Sequence, residues 1–144
     1  MILIGIDVAS EKHDVCIMSD IGEIFKEIFS IPNKEVGYKK LHDEIEKAKK
    51  LFKDDNIRIG LESTGVYSVG ISEFLESKFK DSVVLINPVL TSMFTLSIRI
   101  HYAKTDKNNA LRICKFLSKN QDIRTYTPVS YHTKQLRDLY RERI

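Results

Sequence analysis

The sequence predicts an α/β fold: a mixed β-sheet with three leading antiparallel strands and helices on both faces. Three observations predict it. Three strand-like apolar segments come before any helical pattern. From there, stripes with a period near 3.6 residues alternate with short apolar runs, the arrangement that layers helices on a sheet. Two of those runs also end in a carboxylate, at the strand ends where open α/β sheets gather their ligands.

The elements follow in order. Residues 2–8 form an apolar run broken by Gly5, with Asp7 at its carboxyl end, and read as a buried strand. Residues 13–18 and 23–31 are apolar segments joined by Ser19-Asp20-Ile21-Gly22, which predicts an antiparallel hairpin closed by Pro32-Asn33. Tyr38, Leu41, Ile45, Ala48 and Phe52 recur at helical spacing, a single apolar stripe ended by Asp54-Asp55-Asn56. Residues 57–61 form a second core strand with Glu62 at its end. Ser63-Thr64-Gly65 then turns, Ser63 being a turn or cap residue, into a helix striped by Ile71, Phe74, Leu75 and Phe79. Residues 83–86 form another buried strand, stopped by Asn87-Pro88. Residues 89–103 fit helical and irregular readings equally. From Thr105 the spacing of Ala110, Ile113, Cys114 and Leu117 is helical again. Residues 132–143 read as the start of a strongly basic helix. No repeat or low-complexity tract interrupts this order.

The chain has 144 residues, the usual size of one domain, enough to fold without disulfides or structural metal. Its two cysteines, Cys16 and Cys114, lie far apart and match no ligand spacing; buried reduced thiols in a cytoplasmic protein are the expectation. The first apolar run is too short for a signal peptide or a membrane span. The four histidines, His13, His42, His101 and His132, share no ligand spacing and are expected at solvated or turn positions rather than on zinc. The net charge of +3 is unevenly spread. Residues 1–98 carry 12 Lys and Arg against 16 Asp and Glu, whereas residues 99–144 carry 11 against 4. Such a basic segment is either a phosphate-binding footprint or a solubilising face.

Asp7 and Glu62 stand at strand ends, Asp106 opens the late helix, and Asn109 lies three residues on, on the same helical face. Singly, each acid has a plainer reading: a turn cap, a partner for a lysine, a helix N-cap. Together, three converging carboxylates would repel one another unless a cation sits among them. Hard oxygen donors of this kind suit Mg²⁺ or Mn²⁺, which can clamp the oxygens of a phosphodiester.

Four segments appear in order: G-I-D-V-A-S-E-K-H-D-V (5–15), G-L-E-S-T-G-V-Y (60–67), I-N-P (86–88) and K-T-D-K-N-N-A (104–110). With Pro128 and L-R-D-L-Y-R-E-R (136–143), this resembles the insertion-sequence "one-ten" family of transposases, which includes the Piv/MooV DNA invertases. The resemblance implies an RNase H/RuvC-like fold whose four acids, D-E-D-D, bind divalent metal. Asp7, Glu62 and Asp106 fall on the first three positions. Asn109 falls on the fourth and departs from the pattern; an amide oxygen can coordinate Mg²⁺, with one negative charge fewer. The resemblance further implies a metal-binding domain over 1–125, a basic helical linker beginning at 126–144, and a C-terminal domain with a catalytic serine that this sequence lacks. It implies DNA and a structured guide RNA as partners, and a homo-oligomer in the full-length protein. Lys104, Thr105, Lys107 and Arg112, which bracket the third acid, are the expected phosphate contacts; Arg137 and Arg141 are expected to meet nucleic acid or a partner helix farther away.

Two other enzyme classes and one non-enzyme class compete. A stand-alone RuvC-like nuclease would not need to end in a half-built basic helix. A sugar kinase or actin-like ATPase shares G-I-D but needs a second glycine-rich phosphate loop, and six glycines with no Gly-Gly or Asp-Gly pair do not supply one. A non-catalytic nucleic-acid-binding module is favoured by Asn109.

Overall fold

The structure, a computed structural model, describes residues 1–62, 65–87 and 109–120. Strands β1 (Ile2–Asp7), β2 (Lys12–Ser19) and β3 (Phe29–Pro32) lead, followed by helix α1 (Glu35–Phe52), strand β4 (Ile57–Glu62), helix α2 (Val69–Lys78), strand β5 (Val83–Ile86) and helix α3 (Asn109–Lys119). The five strands form one sheet in the order β3-β2-β1-β4-β5. β1 pairs antiparallel with β2, and β2 with β3; β4 runs parallel to both β1 and β5. The sheet is mixed, as the pattern of three strands followed by alternating elements requires.

The period-2 alternation of β1 sorts its side chains between two cores. Ile2, Ile4 and Ile6 face one way and are buried with Val15, Ile17, Ile59, Leu61 and Val83 under α1 and α2. Leu3 faces the other way and is buried with Cys16, Met18, Val84 and Ile86 under α3. Helices therefore cover both faces. The predicted stripe of α1 is the buried one: Leu41, Ile45 and Ala48 have no exposed surface. Burying each of the two larger side chains contributes about 1.5–3 kcal/mol. Residues Asp54, Asp55 and Asn56 follow the end of α1, where Lys53 takes a left-handed conformation (φ 51) and its N–H caps the Lys49 carbonyl. Both cysteines are buried and free.

The hairpin departs from expectation in its second strand. The sequence predicts pairing over 23–31, but only the bridge between Met18 and Ile24 and then β3 itself pair with β2. Phe25 turns inward onto Phe52, with ring centroids 6.4 Å apart, and Lys26 reaches Glu44 of α1 at 3.1 Å. These two contacts draw the intervening residues off the ladder until Phe29 and Ile31 resume the alternation. Ser63, Thr64 and the segments 88–108 and 121–144 lie outside the described residues, as do the predicted linker and the ambiguous stretch 89–103.

Candidate functional site

The parallel register of β1 and β4 sets Gly5 opposite Gly60 and Ile6 opposite Leu61. Asp7 and Glu62 are the next residues on each strand, so the two stand side by side at the carboxyl ends of neighbouring strands, whose backbones lie about 4.8 Å apart. Both belong to the face that carries α3. Glycine is needed beneath them because the helix lies so close. A Cβ on Gly5 would come within 2.2 Å of the Ala110 carbonyl oxygen, and one on Gly60 within 2.8 Å of the Leu117 side chain.

That close approach delivers Asn109, the first residue of α3, to Asp7. Its Nδ2 donates to Asp7 Oδ2 at 3.5 Å, while its Oδ1 accepts from Arg112 Nη1 at 3.2 Å. The structure thus gathers Asp7, Glu62 and Asn109 at one sheet edge, with Arg112 one turn along α3. Asp106, Lys104, Thr105, Lys107, Arg137 and Arg141 lie outside the described residues. Among the described residues, no group of three or more His, Cys, Asp or Glu side chains is placed to hold a metal ion.

Asp14, which the sequence reading did not single out, belongs to this edge. It pairs with Asp7 in the β1–β2 register, and its Oδ1 accepts from the Ser30 hydroxyl at 2.6 Å. Burial raises the Asp7 carboxyl above its ordinary range; Asn109 opposes that shift, and the nearby Asp14 charge adds to it. An acid so placed gains from a cation beside it. Asp14 faces Asp7 across the turn between β1 and β2, a pairing that only the folded register sets.

His13 corrects an expectation. It is not solvated but fully buried at the start of β2, and its Nδ1 accepts the Ala9 N–H at 3.1 Å. The ring proton therefore sits on Nε2 in the neutral form, and burial holds the imidazole below its ordinary range. Asn33 works from the other side of the same loop. Its Nδ2 donates to the Ser10 carbonyl at 3.1 Å, its backbone N–H to the Glu11 carbonyl at 2.8 Å, and its Oδ1 accepts from Tyr38 Oη at 2.5 Å. The loop leaving Asp7 is thus tied at Ala9, Ser10 and Glu11, which fixes the backbone that carries the carboxylate. His42 is half-exposed and stacks on Phe79 with centroids 5.3 Å apart.

A mixed sheet with leading antiparallel strands, helices on both faces and acids at the ends of its two central strands defines an RNase H-like α/β domain. RuvC of Thermus thermophilus in complex with a Holliday junction substrate has this architecture, with a TM-score of 0.54 at 9% identity over 88% of this chain and 99% of that one. A second Thermus thermophilus RuvC structure gives a TM-score of 0.50 at 10% identity, over 88% and 100%. At such identities the likeness establishes the fold. No curated protein matches the chain. Over residues 4–144, however, the chain matches the DEDD model of the IS110 group, described as a transposase, and it belongs to that transposase family. No helix among the described residues is long and apolar enough to cross a membrane.

Proposed function

We propose that this chain is the metal-binding domain of a DNA transposase, holding Mg²⁺ or Mn²⁺ between Asp7, Glu62 and Asp106 at a DNA phosphodiester. The observation that carries the proposal is the register of β1 and β4, which sets two half-buried carboxylates side by side beneath the N-terminus of α3. The donor chemistry at this edge fits the ion. The side chains there are carboxylates and an amide, hard oxygen donors, while the thiols lie buried deeper under α3. When bound, the cation would supply charge stabilisation to the oxygens around phosphorus. Asn109 presents its N–H₂ group to Asp7, so it would join such an ion only after its amide turns over.

The chain's own residues have separate tasks in this reading. His13 and Asn33 hold the Asp7 loop; Arg112 orients the Asn109 amide; Lys104, Thr105 and Lys107 position phosphates without reading sequence. Strand exchange would use a serine nucleophile from a further domain, which Ser10 and Ser63 do not replace, and a structured guide RNA would align donor and target. The linker beginning at 126–144, with Arg137 and Arg141, and a full-length homo-oligomer belong to the same proposal. Calorimetric titration with Mn²⁺ is the test. The parent chain binds; Asp7→Ala and Glu62→Gln bind at least tenfold more weakly. Equal binding by all three refutes it.

One observation favours a second reading, a nucleic-acid-binding module without metal chemistry: Asn109 hydrogen-bonds Asp7 directly, as a neutral substitute for a bridging cation. The titration decides between them, since Asn109→Asp tightens Mn²⁺ binding only if the site takes metal.

A further inference from the structure

Among the described residues, the large exposed apolar side chains lie mostly toward the two ends of the sheet, with Ile28 just before β3 the exception. Ile21 and Ile24 lie on the hairpin turn near Ser19, which pairs with Ile2, and Leu51 lies at the end of α1; these are at the edge remote from the carboxylates. Val36, Val66 and Tyr67 lie at the carboxylate edge, 62%, 77% and 50% exposed. Val36 is in the first turn of α1, which starts just after β3 ends opposite Lys12. Val66 and Tyr67 form the 3₁₀ turn Gly65–Ser68 that follows Glu62 and leads into α2. The two helix starts meet there: Tyr38 Oη would lie 2.8 Å from a Cβ on Gly70, and the Tyr38 and Phe74 rings are 5.6 Å apart.

The turn is held firmly. Gly65 takes a positive φ of 62, open to glycine at no steric cost, and the Ser68 hydroxyl donates back to the Gly65 carbonyl at 3.0 Å. Ser68 itself is buried. A rigid turn that presents a half-exposed aromatic ring beside a β-branched residue, a few residues past a carboxylate, has a shape that selects its occupant. A protein partner would need a patch of about 800 Å². One tyrosine beside one valine in this turn offers about the area of a single nucleobase, whose π-face stacks on an aromatic ring whatever its sequence.

We propose that Val66 and Tyr67 form a platform for one unstacked base of DNA, the base flanking the phosphodiester held at Asp7 and Glu62. The inference rests on the nucleic-acid reading above and deepens it. Tyr67 takes the base on its ring face, Val66 closes one side, and the base leaves its duplex neighbour so that the adjoining phosphate reaches the carboxylates. Loss of base–aromatic stacking weakens single-strand binding about 5- to 150-fold per base.

The test uses the chain with Mn²⁺ and short DNA strands carrying one 2-aminopurine, whose fluorescence is quenched on stacking. The parent and Tyr67→Phe bind and quench. Tyr67→Ala, with an unchanged circular dichroism spectrum, binds about 5- to 150-fold more weakly and loses the quenching at one position of the strand. Tyr67→Ala binding as tightly as the parent with full quenching overturns the platform. Where DNA binding is lost in Asp7→Ala but untouched in Tyr67→Ala, the platform alone falls and the function stands. A parent chain that binds no DNA overturns both. Intact DNA binding by Tyr67→Ala with altered self-association in sedimentation makes this edge a protein contact and likewise overturns the platform.

Discussion

Replacing Gly5 by alanine adds a methyl group where α3 touches the sheet. Its Cβ would sit 2.2 Å from the Ala110 carbonyl oxygen, 2.9 Å from the Cys114 amide nitrogen and 3.0 Å from Cys114 Sγ. Two of these atoms are backbone, so no rotamer change relieves the clash. The helix must retreat by about 1 Å to restore ordinary contact, away from a core of Leu3, Cys16, Ile113 and Leu117 that is packed to crystal-like density. Overpacking by one methyl costs about 1–3 kcal/mol, and backbone contact places Gly5→Ala at the upper end. For a chain of this size about 3 kcal/mol lowers Tm by about 6–12 °C. The retreat also reaches the site. Asn109 immediately precedes Ala110 and holds Asp7 at 3.5 Å, already the limit of a hydrogen bond, so the shift separates the two. Thermal unfolding paired with Mn²⁺ titration reads both effects. Gly22→Ala is the control: it meets nothing within 4 Å and costs only the left-handed backbone penalty, about 1–2 kcal/mol. It therefore destabilises without changing Mn²⁺ affinity. A Gly5→Ala chain that melts with the parent, or that matches Gly22→Ala in Mn²⁺ affinity, would show that α3 does not press on β1 as described.

In chelator-treated protein, Asp7→Asn raises Tm near neutral pH. A carboxyl raised by burial favours the fold below its unfolded pKa and loses that contribution as pH rises through the folded value, so the gain vanishes in acid below about pH 3.9; melting at the parent's temperature across this range contradicts it. Burial lowers the His13 pKa, so the unfolded chain takes up the proton first and the parent loses stability as pH falls through about 6.5. His13→Gln, having no proton to gain, shows a shallower loss, and identical slopes would place the titrating group elsewhere. Cys16 and Cys114 are buried, and burial pushes the Cys114 thiol well up. Both stay unreactive to a disulfide reagent until the chain unfolds; rapid labelling of the native protein would mean that α3 opens.

Local periodicity determined a large part of this protein by itself. The apolar runs of β1, β4 and β5, the stripe Leu41-Ile45-Ala48 and the stripe Ala110-Ile113-Cys114-Leu117 name their elements because side-chain period and burial are set within a few residues. Asp7 and Glu62 could likewise be placed at strand ends without a structure. Contacts between distant segments were beyond such reading, because register is a property of pairs. That Gly5 faces Gly60, 55 positions along the chain, depends on how α1 folds back over the sheet. Only the folded chain sets Asp14 across from Asp7, turns the Asn109 nitrogen rather than its oxygen toward that carboxylate, and shortens β3 by drawing Phe25 onto Phe52. His13 shows the same division: a histidine between charged neighbours reads as solvated, yet strand alternation turns it inward, where the Ala9 amide satisfies its Nδ1.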